Sequence, residues 1–288
     1  MDTEELLKKV KRIELKTRAL TNNVFAGEYR SAFKGRGMSF AEVREYQPGD
    51  DVRDIDWNVT ARTNRPHIKI YEEERELTVM LLIDVSGSLV FGSGESSQHD
   101  VVTEIAATLA FSAAQNNDKV GAIFFSDQVE HFIPPKKGRK HVLYIIRELL
   151  NFIPKSRRTD ISVGLEHLMR AISRRSIAFL LSDFLDSKDY SQQLRMVAHR
   201  HDLVAVRVYD NRLAQLPNVG LLQVADAETG HVELLDSSSE KVRQWYEAHW
   251  VKSQKRLEDI FKKSGIGLAS LATNEDYIEA LKRLLHNR

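Results

Sequence analysis

Cysteine is absent from the 288 residues. That excludes a disulfide scaffold, thiolate-bound zinc, an iron–sulfur cluster and a cysteine nucleophile, and it fits a reducing compartment. Glycine and proline are sparse, at 14 and 6 residues, which excludes a fibrous chain and argues against disorder. No apolar run approaches the roughly 18 residues that a membrane span needs. The N-terminus, Met1-Asp2-Thr3-Glu4-Glu5, is acidic where a secretory signal would be basic. The expected protein is therefore cytoplasmic, with no membrane span. An excess of one charge is lacking as well: 42 Lys plus Arg against 41 Asp plus Glu leave +1, so nothing global attracts nucleic acid.

What is present is the balance of a globular protein, 42% hydrophobic and 29% charged, long enough for one large domain or a medium domain with an appendage. From Glu4 to Leu20 the apolar residues Leu6, Val10, Ile13 and Leu20 recur at helical spacing among basic residues, which predicts an amphipathic helix with a solvated outer face. The segment from Gly27 to Glu76 has a different texture, with the turn Pro48-Gly49-Asp50-Asp51 and a period-two stretch from His67 to Tyr71. Short strands and turns are expected there.

At Leu77 the pattern changes. Leu77–Asp84, Val120–Phe125, Ile177–Leu181 and Leu203–Val208 are nearly continuous apolar runs, as in strands buried on both faces of a parallel sheet. Helical periodicity lies between them, at Val101–Ala114 and His141–Phe152. A hairpin near 219–235, a helix opened by a capping box of Ser237 with Glu240 and stopped near Gly265, then a last strand and helix complete the chain. The expected fold is α/β, a doubly wound, mostly parallel six-stranded sheet (residues 77–288) with a small helix-plus-β appendage (residues 1–76).

In an open α/β sheet, ligands bind beyond the carboxyl ends of the strands. The runs ending at Asp84 and Asp183 put acids there. In Asp84-Val85-Ser86-Gly87-Ser88 alternate residues can converge one carboxylate and two hydroxyls on a point, and Thr159 and Asp183 can add oxygens from neighbouring loops. Such an all-oxygen set suits a hard divalent cation, Mg²⁺ above all, with Mn²⁺ or Ca²⁺ as alternatives. The bland reading is a set of ordinary capping and turn residues. His199 and His201 read as a solvated pair, and Lys136–Lys140 as a basic turn.

The five residues Asp84, Ser86, Ser88, Thr159 and Asp183, in that order at three strand ends, resemble the metal-ion-dependent adhesion site of von Willebrand factor A domains. Upstream, Gly35-Arg36-Gly37-Met38-Ser39-Phe40, Val43 to Trp57 and Ala61-Arg62 resemble the hallmark stretch of the bacterial family called domain of unknown function 58. The first resemblance implies a metal completed by a partner's carboxylate. The second implies a protein that works with a MoxR-type AAA+ ATPase, or that ATPase's client, in the assembly or maturation of other proteins. Asp50, Asp51, Arg53, Asp54, Asp56 and Trp57 are read as a polar network with an aromatic anchor, for docking the appendage or presenting a partner surface. The competing class is a Mg²⁺-dependent hydrolase or phosphoryl-transfer enzyme at the same strand ends, but Ser86 has no evident base and no phosphate loop is complete.

Overall fold

A computed structural model describes residues 3–20, 29, 32–33, 38–73, 76–90, 97–186, 188–226 and 230–286. Two compact units emerge: residues 33–77, and residues 1–32 together with 78–288. The boundary at 77 lies one residue from the expected one, but helix α1 (Thr3–Leu20) belongs with the α/β unit rather than with the segment that follows it. Its buried Val10, Ile13 and Thr17 mark the inner face. Lys9 and Lys16 reach Asp100 and Glu104 at 2.5 Å, and Glu14 pairs with Arg139. Part of the basic face expected to meet only water thus serves as docking contacts.

The unit of residues 33–77 is a hairpin of β1 (Met38–Glu45) and antiparallel β2 (His67–Glu73), joined through the short helix α2 (Trp57–Thr63). Gly35-Arg36-Gly37, part of the motif, lies outside the described residues.

The larger unit holds a six-stranded sheet of β3 (Thr78–Asp84), β4 (Lys119–Phe125), β5 (Val129–Lys136), β6 (Ile177–Ser182), β7 (Asp202–Tyr209) and β10 (Gly267–Ala272), in the order β10-β7-β6-β3-β4-β5. All pairings are parallel except β4 with β5. Strand β5 escapes sequence reading because it is a partly exposed edge strand carrying Pro134 and Pro135, residues that only an edge or a bulge tolerates. Between β7 and β10 the chain forms the separate hairpin of β8 (Leu221–Ala225) and β9 (Val232–Asp236).

Helices α3 (Gln98–Gln115), α4 (Arg139–Asn151), α5 (Ile161–Ala171), α6 (Ser191–Arg200), α7 (Glu240–Lys263) and α8 (Tyr277–His286) flank the sheet. Along β3, Met80 and Leu82 join a core with Phe125 of β4 and with Leu165, Leu194 and Phe261 of α5, α6 and α7. Val79, Leu81 and Ile83 alternate with them and are as fully buried. Both faces are therefore covered, which explains the unbroken apolar runs. No helix among the described residues is long and apolar enough to cross a membrane.

Two local expectations are corrected. The Ser237–Glu240 box does not form: Ser239 precedes α7, while the Ser237 hydroxyl donates to Gly220 O at 2.6 Å and accepts from Val219 N at 3.1 Å. The backbone at the hairpin base competes successfully for that side chain. His201 is buried rather than solvated, its Nδ1 2.9 Å from the Ser176 hydroxyl. Burial, with Arg200 and Arg175 nearby, pushes its pKa down to about 4, so it is neutral at pH 7.

Candidate metal centre

Strand β3 ends at Asp84, which is wholly buried. One carboxylate oxygen accepts the Ser86 amide at 2.9 Å, folding the loop back; the other accepts the Ser182 hydroxyl, at the end of neighbouring β6, at 2.6 Å. Ser86 Oγ and Ser88 Oγ lie 3.1 Å apart. The alternate residues of this loop therefore do converge.

Asp183, also wholly buried, follows β6 directly. Its Oδ1 accepts the Leu185 amide at 3.1 Å, and its Oδ2 has no hydrogen-bond partner among the described residues. Phe184 turns the chain there with φ 58°, an uncommon conformation for a non-glycine residue. Its amide donates to Ser182 Oγ at 2.9 Å, so Ser182 ties this turn to Asp84.

Thr159 is brought to the same edge by its neighbours. Gly87 N, between the two serines, donates to Arg157 O at 2.9 Å, and Asp160 N donates to Ser126 O at the end of β4 at 3.2 Å. Thr159 Oγ1 is buried and without a partner among the described residues.

The electrostatics of this edge are unfavourable as they stand. Burial and then the neighbouring Asp183 push the Asp84 pKa up to about 7; burial raises Asp183 as well, against the opposing effects of its hydrogen bonds and of Arg207. Arg207 is buried on β7, donates from Nε to Asp183 O at 2.9 Å, and lies against the rings of Tyr209 and Trp250, with centroids at 5.2 and 5.0 Å. Buried charges normally carry a counter-charge or a metal. Two carboxylates and three hydroxyls, among them the buried Asp183 Oδ2 and Thr159 Oγ1 that lack partners among the described residues, form a donor set that fits a hard divalent cation.

The profile described as "Protein of unknown function DUF58" matches residues 42–256. The chain belongs to this family. This DUF58 chain is 31% identical to the uncharacterized protein Rv1480 of Mycobacterium tuberculosis, over all of its own length and 91% of that protein's. Among solved structures it is similar to the conserved hypothetical protein BatB of Bacteroides thetaiotaomicron, at 16% identity and TM-score 0.48 over 73% of this chain and 98% of that one. It is also similar to the SpRpn10 VWA domain, at 10% identity and TM-score 0.43 over 74% and 95%.

Within the stretch matched by the DUF58 profile, the acids singled out upstream have local duties. Arg44 grips Asp50 with both terminal nitrogens, at 2.8 and 2.7 Å. Asp51 accepts the Arg53 amide at 2.9 Å and its guanidinium at 2.7 Å, capping the turn Val52–Asp54. Asp56 caps α2 through the amides of Asn58 and Val59 and lies 3.6 Å from Lys69. Trp57 is 70% exposed.

Sequence reading missed four contributors in this DUF58 chain: Ser182, Arg207, Gln98 and Glu130. Gln98 is buried at the start of α3; with its amide nitrogen toward Ser88 O (3.1 Å), its oxygen accepts from Asp210 N (2.9 Å). Glu130 Oε1 accepts from Ser126 Oγ, Gln128 Nε2 and the amides of Lys155 and Ser156, all between 2.8 and 3.1 Å. It straps down the loop that carries Thr159. Glu130→Ala is expected to speed hydrogen exchange at the Lys155 and Ser156 amides by roughly tenfold to a hundredfold, the equivalent of about 1–3 kcal/mol for a lost charged acceptor, while β3 stays protected. Unchanged exchange at both amides would show that the strap holds nothing.

Proposed function

We propose that this DUF58 protein is a non-enzymatic, Mg²⁺-dependent interaction module. Asp84 and Asp183 would anchor the ion and Ser86, Ser88 and Thr159 would supply hydroxyl oxygens. The observation that carries the reading is the pair of wholly buried carboxylates at one sheet edge, with Asp183 Oδ2 and the neighbouring loop's Thr159 Oγ1 lacking a hydrogen-bond partner among the described residues. When bound, the ion supplies a hard electrophilic centre for an outside oxygen. This chain's own residues do the rest. Ser182 holds Asp84 in place, the Leu185 amide fixes one oxygen of Asp183, and Glu130 holds the loop that delivers Thr159. With Arg207 behind Asp183, two carboxylates do not neutralise the combined positive charge, which favours an incoming carboxylate from a partner.

The partner class implied by the resemblance is a MoxR-type AAA+ ATPase or its client, and the role is that of an adaptor in assembly or maturation. A non-catalytic role is supported by the serine pair: Ser86 Oγ meets Ser88 Oγ, not an imidazole that could serve as base. The test is a pull-down from native extract with the full chain, with and without chelator, using Asp84→Ala as control. A partner retained only with Mg²⁺ and only by the wild type supports the module. Turnover of a phosphorylated substrate, abolished by Asp84→Ala and with no stable partner, would make the protein an enzyme instead.

A further inference from the structure

The loop that delivers Thr159 also sets what lies around the site. From Phe152 to Arg158 it contains no acidic residue, and Lys155, Arg157 and Arg158 are all exposed. None of the three is in an ion pair among the described residues. The acids of the same edge are occupied elsewhere: Asp160 binds Lys188 at 2.5 Å, and Asp127 and Asp186 act on that same lysine. Asp186 also caps α5 through Ile161 N at 2.9 Å. The three cationic side chains thus stay outside the ion pairs of this edge, on a backbone held at both ends of the segment, by Gly87 N at Arg157 O and by the Glu130 carboxylate at Lys155 N and Ser156 N. Two apolar side chains are in the open, Ile153 of the same loop at 86% exposure and Leu185, next but one to Asp183, at 39%.

Three exposed cations outside any ion pair among the described residues cost solvation if covered by a neutral surface, whereas an acidic segment turns them into charge-assisted contacts. Exposed aliphatic side chains in the loop and next to Asp183 reward an apolar residue in the same ligand. We infer that the partner presents an acidic, extended segment, with several carboxylates around an aliphatic side chain, and that Lys155, Arg157 and Arg158 read it beside the proposed metal centre. This inference rests on the interaction-module reading and gives its partner a chemistry: one carboxylate meets the ion, and the others meet the loop.

The experiment uses the full chain and two fluorescein-labelled nonapeptides, one with four aspartates around a central leucine, the other with three of those aspartates replaced by asparagine. In Mg²⁺, the wild type is expected to bind the first at least about tenfold more tightly, a difference of about 1.4 kcal/mol. The preference should weaken with salt. Arg157→Gln/Arg158→Gln, checked for an unchanged thermal midpoint, should erase the preference and leave binding of the single-aspartate peptide intact. Equal binding of the two peptides, survival of the preference in the double variant, or binding of neither peptide overturns the inference. The metal reading fails separately: if chelation and Asp84→Asn leave the four-aspartate preference in place while the double variant abolishes it, the basic loop stands as a reader and the ion does not.

Discussion

Adding Mg²⁺ to the metal-free protein at pH 8 is expected to raise its thermal midpoint by about 5–10 °C, and to do nothing to Asp84→Asn or Asp183→Asn. A ligand at a hundred times its Kd stabilises the folded state by about 2.7 kcal/mol, and each kcal/mol moves the midpoint of a domain this size by roughly 2–4 °C. The pH arm follows from the raised Asp84 value. Folding favours the protonated form, so the full stability is present below the ordinary value of 3.8 and is lost as pH rises toward and through about 7. Without metal, the wild type should therefore be less stable at pH 8 than at pH 6, while Asp84→Asn, which removes one of two mutually repelling buried charges, should be flatter with pH and more stable than wild type at pH 8. Differential scanning fluorimetry in a Mg²⁺ and pH grid decides the matter. An equal Mg²⁺ shift in wild type and both variants would remove the ion from these residues.

Much of this edge can be foreseen because burial on both faces writes itself into sequence. β3, β4, β6 and β7 are apolar runs, and where each run stops the chain must leave the sheet, so Asp84 and Asp183 had to lie at one edge. The loop Asp84–Ser88 is short enough for its own convergence to be local. Residues that act across the sheet leave no such mark. Glu130 works on a loop 25 residues away, Ser182 on a carboxylate 98 residues away, and Arg207 on a carbonyl 24 residues away. A lone arginine in an apolar run reads as an interruption of the strand, yet aromatic faces and a carbonyl make its burial tolerable. The placement of α1 is invisible for a related reason, since its periodicity announces an inner face without saying which unit receives it.

Gly164→Ala is expected to destabilise the protein, reversing the usual sign for an interior helical glycine. In an unconstrained helix that change gains about 1 kcal/mol, because alanine has the higher helix propensity. Gly164 sits in α5 against the Phe125 ring, and an added Cβ would stand 2.7 Å from Cδ1 and 2.9 Å from Cγ, distances that no packed core accommodates without movement. Phe125 cannot swing aside: it is wholly buried in the core shared by Met80, Leu82 and Leu165, and its carbonyl accepts the Val85 amide at 2.8 Å. The helix must shift instead. Overpacking of this kind costs roughly 1–3 kcal/mol, and Gly164→Val, with two more carbons on a β-branched side chain, should cost about 3 kcal/mol or more, a fall of roughly 6–12 °C in the thermal midpoint. Because α5 starts right after Thr159 and Asp160, its displacement also disturbs the delivery of Thr159, so the Mg²⁺ shift of the alanine variant should shrink as well. Shrinking the partner tests the cause: Phe125→Leu combined with Gly164→Ala should cost less than the two changes summed, by at least about 0.5 kcal/mol of coupling. Additive losses, or a stabilised Gly164→Ala, would show that the ring and the glycine do not constrain each other.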